Sequence, residues 1–276
     1  MLDYQLTANG VTVGNGTTIG ILAATGLEDM PNIRSGDVNR GYQDGETPGI
    51  DLAGGRDIVL ELLVLDSGTG DYFTNLELFK TFSAISRTET PMLYQLPGRT
   101  ARTLSCRARR RTMPVNLDYQ YRYGHGFAAF HAVDPRIYEA SFTTLSGSMP
   151  TAIGGLVIPP VVPWVMGTSG GGGGVLATNT GNALAPWVCT ILGPVTNPIL
   201  QVGPSQLGFV GTLNTGDFVV VDSLARSVLL NGTSSRYSWV TPTSSWQQLP
   251  IGTTAVSMQG AAGAGSFQFA YRSTWI

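Results

Sequence analysis

The sequence predicts a mainly β protein of two domains, and three observations carry that expectation. Short alternating runs rich in Val, Ile, Thr, Tyr and Phe recur along the chain between Gly, Asn and Pro, the pattern of half-buried strands joined by turns. At 276 residues the chain is longer than one typical domain and short for three. Near its middle, Ser146 to Ala177 opens Pro- and Gly-rich and runs into five consecutive glycines, Gly170 to Gly174, as a linker would. The expected division is therefore a first domain over 1–146, a linker or arm over 147–176 and a second domain over 177–276.

Strands are legible near Gly20–Ala24, Asp57–Leu65, Met92–Leu96, Leu104–Thr112, Asp118–His131 and Ile137–Leu145. In the second half they recur near Pro186–Leu192, Phe218–Val221, Ser227–Leu230, Thr253–Met258 and Ser266–Tyr271. One α-helix stands out. Asp71 can cap its start, and Phe73, Leu76, Phe79, Phe82 and Ile85 follow at three-residue spacing, which predicts one apolar face over roughly four turns. Within the linker, Ile153 to Val165 could run as an extended arm packed on a neighbouring surface, with its prolines at edge positions.

Charge is scarce and uneven. Charged residues are 12% of the chain, about half the usual soluble fraction, which excludes charge-driven disorder. Residues 1–89 carry 13 acidic and 5 basic side chains, whereas 90–146 carry 3 and 8. Residues 147–276 hold only Asp217, Asp222, Arg226, Arg236 and Arg272, so that half is expected to be packed against something or coated with hydroxyls. Cys106 and Cys189 fall in different halves and offer neither a disulfide framework nor a metal knuckle; buried thiols are expected. MLDYQLTANG lacks the basic start and apolar core of a secretion signal, and Pro159, Pro160 and Pro163 break the most apolar run, so no membrane span is expected.

No constellation for catalysis, cofactor or metal emerges. Gly167-Thr168-Ser169-Gly170-Gly171 matches the nucleophile elbow literally, but that motif needs a tight strand-to-helix turn and this one lies in a glycine run. His125 and His131 share one face of an ideal strand and are too few for a three-ligand zinc site unless Asp134 or Cys106 joins. Glu28 with Asp29, and Asp44 with Glu46, fall in Gly-rich loops where solvated charge is the common case. Asn-Gly-Thr at Asn15 and at Asn231 reads as turn chemistry.

The strongest electrostatic feature is Arg107, Arg109, Arg110 and Arg111, with Arg99 and Arg102 beside it. A net charge of -2 weighs against specific nucleic-acid binding, as do Tyr119, Tyr121 and Tyr123, which alternate as a β-face without an RNA-binding signature. The four arginines are instead candidate contacts between copies, because an acidic and a basic surface on one domain invite head-to-tail association. The competing expectation is that the two signs neutralise each other within the domain. Trp246 and Trp239 are candidate glycan contacts, with core packing the plainer role of Trp246.

Several segments, in order, resemble siphophage distal tail proteins, including the minor tail proteins of actinobacterial phages. Asp51-Leu-Ala-Gly-Gly-Arg56, running into Asp57-Ile-Val-Leu-Glu-Leu, is similar to that family's strand entry, preceded by Asp37-Val-Asn-Arg-Gly and Asp44-Gly-Glu-Thr-Pro-Gly. His131-Ala-Val-Asp-Pro-Arg-Ile-Tyr138 resembles the strand closing the first domain. Ile191 to Pro198, Thr215 to Asp222, Ser227 to Gly232 and Ser245 to Gly252 resemble parts of the carboxyl-terminal domain. The resemblance implies an amino-terminal β-sandwich or split barrel with one α-helix, forming a hexameric ring, and a carboxyl-terminal galectin-like β-sandwich displayed around it. It further implies a virion protein of the tail tip, assembled in the host cytoplasm, that needs no cofactor and is not an enzyme. Its implied partners are other copies of itself, the tail-tube protein, a tip hub or tail-associated protein and possible contact with the tape measure protein. A carbohydrate-binding module that helps the tail tip adhere to cell-wall glycans is the alternative. If charge pairing joins the copies, self-association must weaken as salt rises; an oligomer indifferent to ionic strength in light scattering would remove that explanation.

Overall fold

The computed structural model describes residues 1–66, 71–150 and 173–276. They form two compact units, Met1–Ala140 together with Ile276, and Ser141–Trp275. The single strand expected over Ile137–Leu145 is two, Ile137–Glu139 and Thr143–Ser148, and the second of these pairs with Ser266–Tyr271. Alternation alone does not reveal that a strand's halves serve different sheets.

In the first unit the hydrogen-bonded order runs Val11–Gly14, Gln5–Ala8, Thr90–Gln95, Arg102–Thr112, Tyr123–Ala132, Arg56–Leu65 and Ile19–Thr25, with every pairing antiparallel. Arg102–Thr112 is the hinge of this arrangement. Its residues Arg102–Cys106 pair with Thr90–Gln95, whereas Arg107–Thr112 pair with Tyr123–Ala132. Strict alternation along Arg56–Leu65 buries Arg56, Ile58, Leu60, Leu62 and Val64.

Helix α1 (Tyr72–Phe82) begins where expected, with the Asp71 side chain accepting from the Phe73 amide. Its buried residues are Tyr72, Asn75, Leu76, Phe79 and Phe82, which follow the 3.6-residue period. The expected set is corrected at both ends: Phe73 is half exposed, and Ile85 is 94% exposed beyond the helix. A strict three-residue spacing drifts about 60° backwards per step, so its first and last members leave the face that its middle members share. The strand beneath makes room with glycine. A Cβ on Gly124 would lie 2.8 Å from the Tyr72 hydroxyl, and one on Gly126 3.0 Å from the Phe79 ring. Phe82 then meets Phe130 edge-on at 5.5 Å.

A second short helix, α2 (Leu117–Gln120), corrects both the expectation of one helix and the alternating tyrosines. Asn116 caps it by accepting from the Tyr119 amide, and Arg122 then adopts a left-handed φ of 60°, so of the three tyrosines only Tyr123 enters the strand. A local cap outweighs the β-propensity of the tyrosines.

Arg56, only 2% exposed, fastens the unit. Its Nε donates to the Pro135 carbonyl at 2.9 Å, and its Nη1 donates to the carbonyls of Gly26 at 2.8 Å and Asp29 at 2.5 Å. Burial lowers its pKa, opposed by the nearby Tyr94, Asp29 and Glu28. The preceding glycines serve close approach more than a sharp turn: a Cβ on Gly55 would lie 2.7 Å from the His131 ring, and one on Gly54 2.9 Å from the Asn32 carbonyl oxygen. Close by in sequence, Asp134 accepts from the Arg136 guanidinium at 2.9 Å and from the Tyr138 hydroxyl at 2.7 Å. Burial would raise the pKa of Asp134, yet these donors hold it below the ordinary value.

Between Ile19–Thr25 and Arg56–Leu65 the chain leaves the body as an arm. Residues 32–53 are all exposed. Two short antiparallel ladders hold the arm together, Ile33–Arg34 with Leu52–Ala53 and Val38–Asn39 with Glu46–Thr47.

The second unit is a sandwich. One sheet orders Thr143–Ser148, Ser266–Tyr271, Trp187–Leu192, Phe218–Asp222, Ser227–Leu230 and Ser234–Ser235; another orders Val175–Asn179, Gly252–Gln259, Ile199–Val202 and Ser205–Gly208. Alternate residues of both supply one core that includes Trp187, Cys189, Ile191, Leu200, Val256, Met258, Phe267 and Phe269. The Asn231-Gly232 turn has positive φ at both residues, 50° and 73°, and joins Ser227–Leu230 to Ser234–Ser235.

Removing Arg56 leaves three carbonyls without their donor, that of Gly26 buried and those of Asp29 and Pro135 part-buried. Arg56→Ala is therefore expected to cost about 3 kcal/mol or more in urea unfolding, and Arg56→Lys to recover only part, because one ammonium cannot copy the guanidinium fork. A loss below about 1 kcal/mol would show that the carbonyls find other partners.

Candidate functional site

The arginine strand is where the first unit turns charge outward. Along Arg102–Thr112 the alternation buries Arg102, Leu104 and Cys106 and then fails. A register shift between Ala108 and Arg110 leaves Arg109 as an extra residue, and Arg109, Arg110 and Arg111 are all exposed. The bulge thus prevents a normal two-sided strand from hiding every second arginine. Arg111 folds back, its Nη1 donating to the Lys80 carbonyl at 3.0 Å, while Arg107 lies 3.5 Å from the Arg87 carbonyl.

Part of the opposite charge is consumed within the unit. Glu28 pairs with the buried Arg102 at 3.0 Å and with Arg99 at 3.7 Å, and Asp66 pairs with Arg122 at 3.1 Å. The side chains of Arg109 and Arg110 have no ion pair or hydrogen bond among the described residues. They border a groove of about 400 Å³ lined also by Lys80, Ser83, Ala84 and Ile85. Lys80 is the exception to a free basic rim, since it pairs with Glu77 at 2.5 Å.

The histidines stand beside carboxylates on the neighbouring strand. His125 Nε2 is 2.6 Å from Glu61, and His131 Nδ1 is 2.6 Å from Asp57, its direct partner in the ladder. Among the described residues no group of three His, Cys, Asp or Glu side chains is placed to hold a metal ion. Cys106 and Cys189 are both buried, and burial pushes the Cys106 thiol up to about 12 and raises that of Cys189 as well. Thr168-Ser169-Gly170-Gly171 and the Ile153–Val165 segment lie outside the described residues.

Trp246 and Trp239 are both half-buried against the core of the second unit. The Trp239 ring covers Gly211, where a Cβ would lie 2.7 Å from it, and the Arg236 guanidinium sits 5.7 Å from its centroid. Trp246 stacks on Tyr237 at 6.2 Å with ring planes 3° apart. Tyr237, 53% exposed, was not singled out by the sequence, because its neighbour in the stack is nine positions away in an irregular loop.

Residues 180–275 match the family described as siphovirus-type tail component, C-terminal domain. Over that stretch the chain is similar to a siphovirus-type tail component domain. That match, lying within the second unit, supports the resemblance to siphophage distal tail proteins drawn from the motifs. Over the whole length the fold is similar to the crystal structure of the SPP1 Dit (gp 19.1) protein, described as a paradigm of the hub adsorption apparatus in Gram-positive infecting phages. The two share 15% identity with a TM-score of 0.68, covering 99% of each chain. Two structures of the phage P2 baseplate in its activated conformation, with Ca and with Sr, align at TM-scores of 0.47 and 0.44 with 9% and 10% identity, over 92% of this chain and 91% of each of theirs. No curated protein matches the chain by sequence.

Exposed, unpaired arginines contribute little to the folding of this protein, whereas its half-buried tryptophans contribute more. Arg109→Ala and Arg110→Ala are expected to stay within about 0.5 kcal/mol of wild type in chemical denaturation, and Trp239→Ala to cost about 2 kcal/mol. A Trp239→Ala chain of unchanged stability would mean that this ring is held for a ligand instead of for the core.

Proposed function

We propose that this tail component is a structural adaptor whose first unit assembles into a hexameric ring, joining the distal end of the tail tube to the tail-tip complex. The observation that carries the reading is the whole-length likeness in fold to a protein described as an adsorption hub, joined to the tail-component match over 180–275. Its work is geometric: ring closure, stacking on the tail-tube protein, and a platform for the tip hub or tail-associated protein, with the tape measure protein as a further neighbour.

One feature of the chain supports association between copies. The bulged arginine strand holds Arg109 and Arg110 outward without partners, as a surface awaiting acidic groups would. Heterologous contacts of that kind close into a ring when the rotation between copies allows it. A carbohydrate-binding second unit has less behind it, since Trp239 and Trp246 both pack against its core. The galectin-like description of that sandwich belongs to the same proposal and by itself implies no sugar, because fold does not fix function.

Light scattering coupled to size exclusion is expected to give a mass near six copies of 29.2 kDa, about 175 kDa, with ring-shaped particles in negative stain. A chain that stays monomeric at high concentration, alone and after mixing with tail-tube protein, overturns the ring.

A further inference from the structure

The least explained part of the first unit is its arm. All of residues 32–53 are exposed, so this stretch adds nothing to the core of its own unit. It nevertheless carries Ile33, Val38, Tyr42, Ile50 and Leu52, between 51% and 104% exposed. A lone two-stranded hairpin is marginal in water, and ordering a stretch of this length costs entropy that its own two-residue ladders offset poorly. The arm is nonetheless specifically built. The Gly49 amide donates to Asp37 at 2.7 Å, the Arg40 amide donates to the Gly45 carbonyl at 3.2 Å, and Asn39 faces Glu46 across the ladder. Its tip therefore presents Tyr42 between Arg40 and the carboxylates of Asp44 and Glu46.

The groove beside α1 has the complementary character. Arg109 and Arg110 form its unpaired basic rim, and Ile85, 94% exposed, with Ala84 forms its apolar floor. Among the described residues no acidic side chain lines it, nor does any residue of the arm. On the arm Asp44, Glu46 and Asp51 have no ion pair among the described residues, and its four carboxylates outnumber Arg34 and Arg40. Nine residues separate Ile33 from Tyr42, so the tip reaches at most about 30 Å from the body, enough to cross to an adjacent molecule.

We infer that the arm of one copy docks its tip in the α1–arginine groove of the next, with Tyr42 on Ala84 and Ile85 and the carboxylates of Asp44 and Glu46 facing Arg109 and Arg110. This rests on the ring proposed above and names the contact that closes it. The contact is heterologous, arm to groove, so each copy gives one and receives one, as a closed ring requires. Exposed ion pairs alone bind weakly, so the aromatic anchor supplies affinity while the charges set register and salt dependence.

Charge reversal in the full-length chain tests this directly. Asp44→Arg with Glu46→Arg, and separately Arg109→Glu with Arg110→Glu, are each expected to raise the concentration for half-assembly at least tenfold with unchanged melting temperature. A mixture of the two variants should recover mixed oligomers. Independently, Tyr42→Cys with Ile85→Cys should form a ladder of disulfide-linked oligomers on mild oxidation, since both native thiols are buried. Variants that assemble like wild type, or a disulfide confined within one chain, would overturn the arm contact and leave the ring standing. A wild-type chain that never assembles would overturn the ring, and this contact with it.

Discussion

The first unit depends on a buried cation whose hydrogen bonds go to backbone carbonyls. Arg56 opens the central strand Arg56–Leu65 and spends its guanidinium on the carbonyls of Gly26, Asp29 and Pro135. Backbone carbonyls of two loops are thereby satisfied by one side chain, and both loops are fixed to the start of the strand that pairs with Ile19–Thr25 on one side and Tyr123–Ala132 on the other. Because Arg56 follows the exposed arm by only two glycines, the same interaction anchors the root of that arm. Gly54 and Gly55 admit no side chain there, since Asn32, His131 and Ala132 already occupy the space a Cβ would need.

A second constraint follows from the length of Arg102–Thr112. A strand that pairs with Thr90–Gln95 at one end and Tyr123–Ala132 at the other must change partners midway, and a bulge at Arg109 follows that change. On a regular strand every second arginine would face the core, where an unpaired guanidinium is costly. The bulge, together with the helix end that receives Arg111, keeps Arg109, Arg110 and Arg111 exposed, and only Arg107 is half-buried, with its Nε lacking a partner. The result is a basic surface produced by strand geometry.

The second unit solves its stability in a different manner. With five charged residues over 147–276, it relies on alternating apolar strands and on local hydroxyl and amide hydrogen bonds. Asp217 illustrates this: it accepts from Asn231 and Asn214, which holds its carboxyl below the ordinary value and ties the Asn231-Gly232 turn to the neighbouring loop. Trp187, resting 5.2 Å from Phe269 with its Nε1 donating to the Gln247 carbonyl, similarly joins core and loop.

By itself the sequence determined the mainly β character, most strands, the cap at Asp71, the hairpin at Asn231-Gly232 and the resemblance to siphophage tail proteins, because period, capping, turn chemistry and short motifs are local. It also placed the four arginines together on one strand, though the bulge that turns Arg109 and Arg110 outward depends on which strands Arg102–Thr112 pairs with. Tertiary structure alone decided that Ile137–Leu145 divides between two units, whereas the exposure of Phe73 and Ile85 and the Asn116 cap that keeps Tyr119 out of a strand are local effects that a simple spacing pattern overlooks. The arm over 32–53 was illegible for a related reason: its apolar residues have no partner within their own unit, so no periodic pattern marks them. Arg56 showed most clearly the limit of local reading, since what its guanidinium touches lies 27 to 79 residues away in the chain.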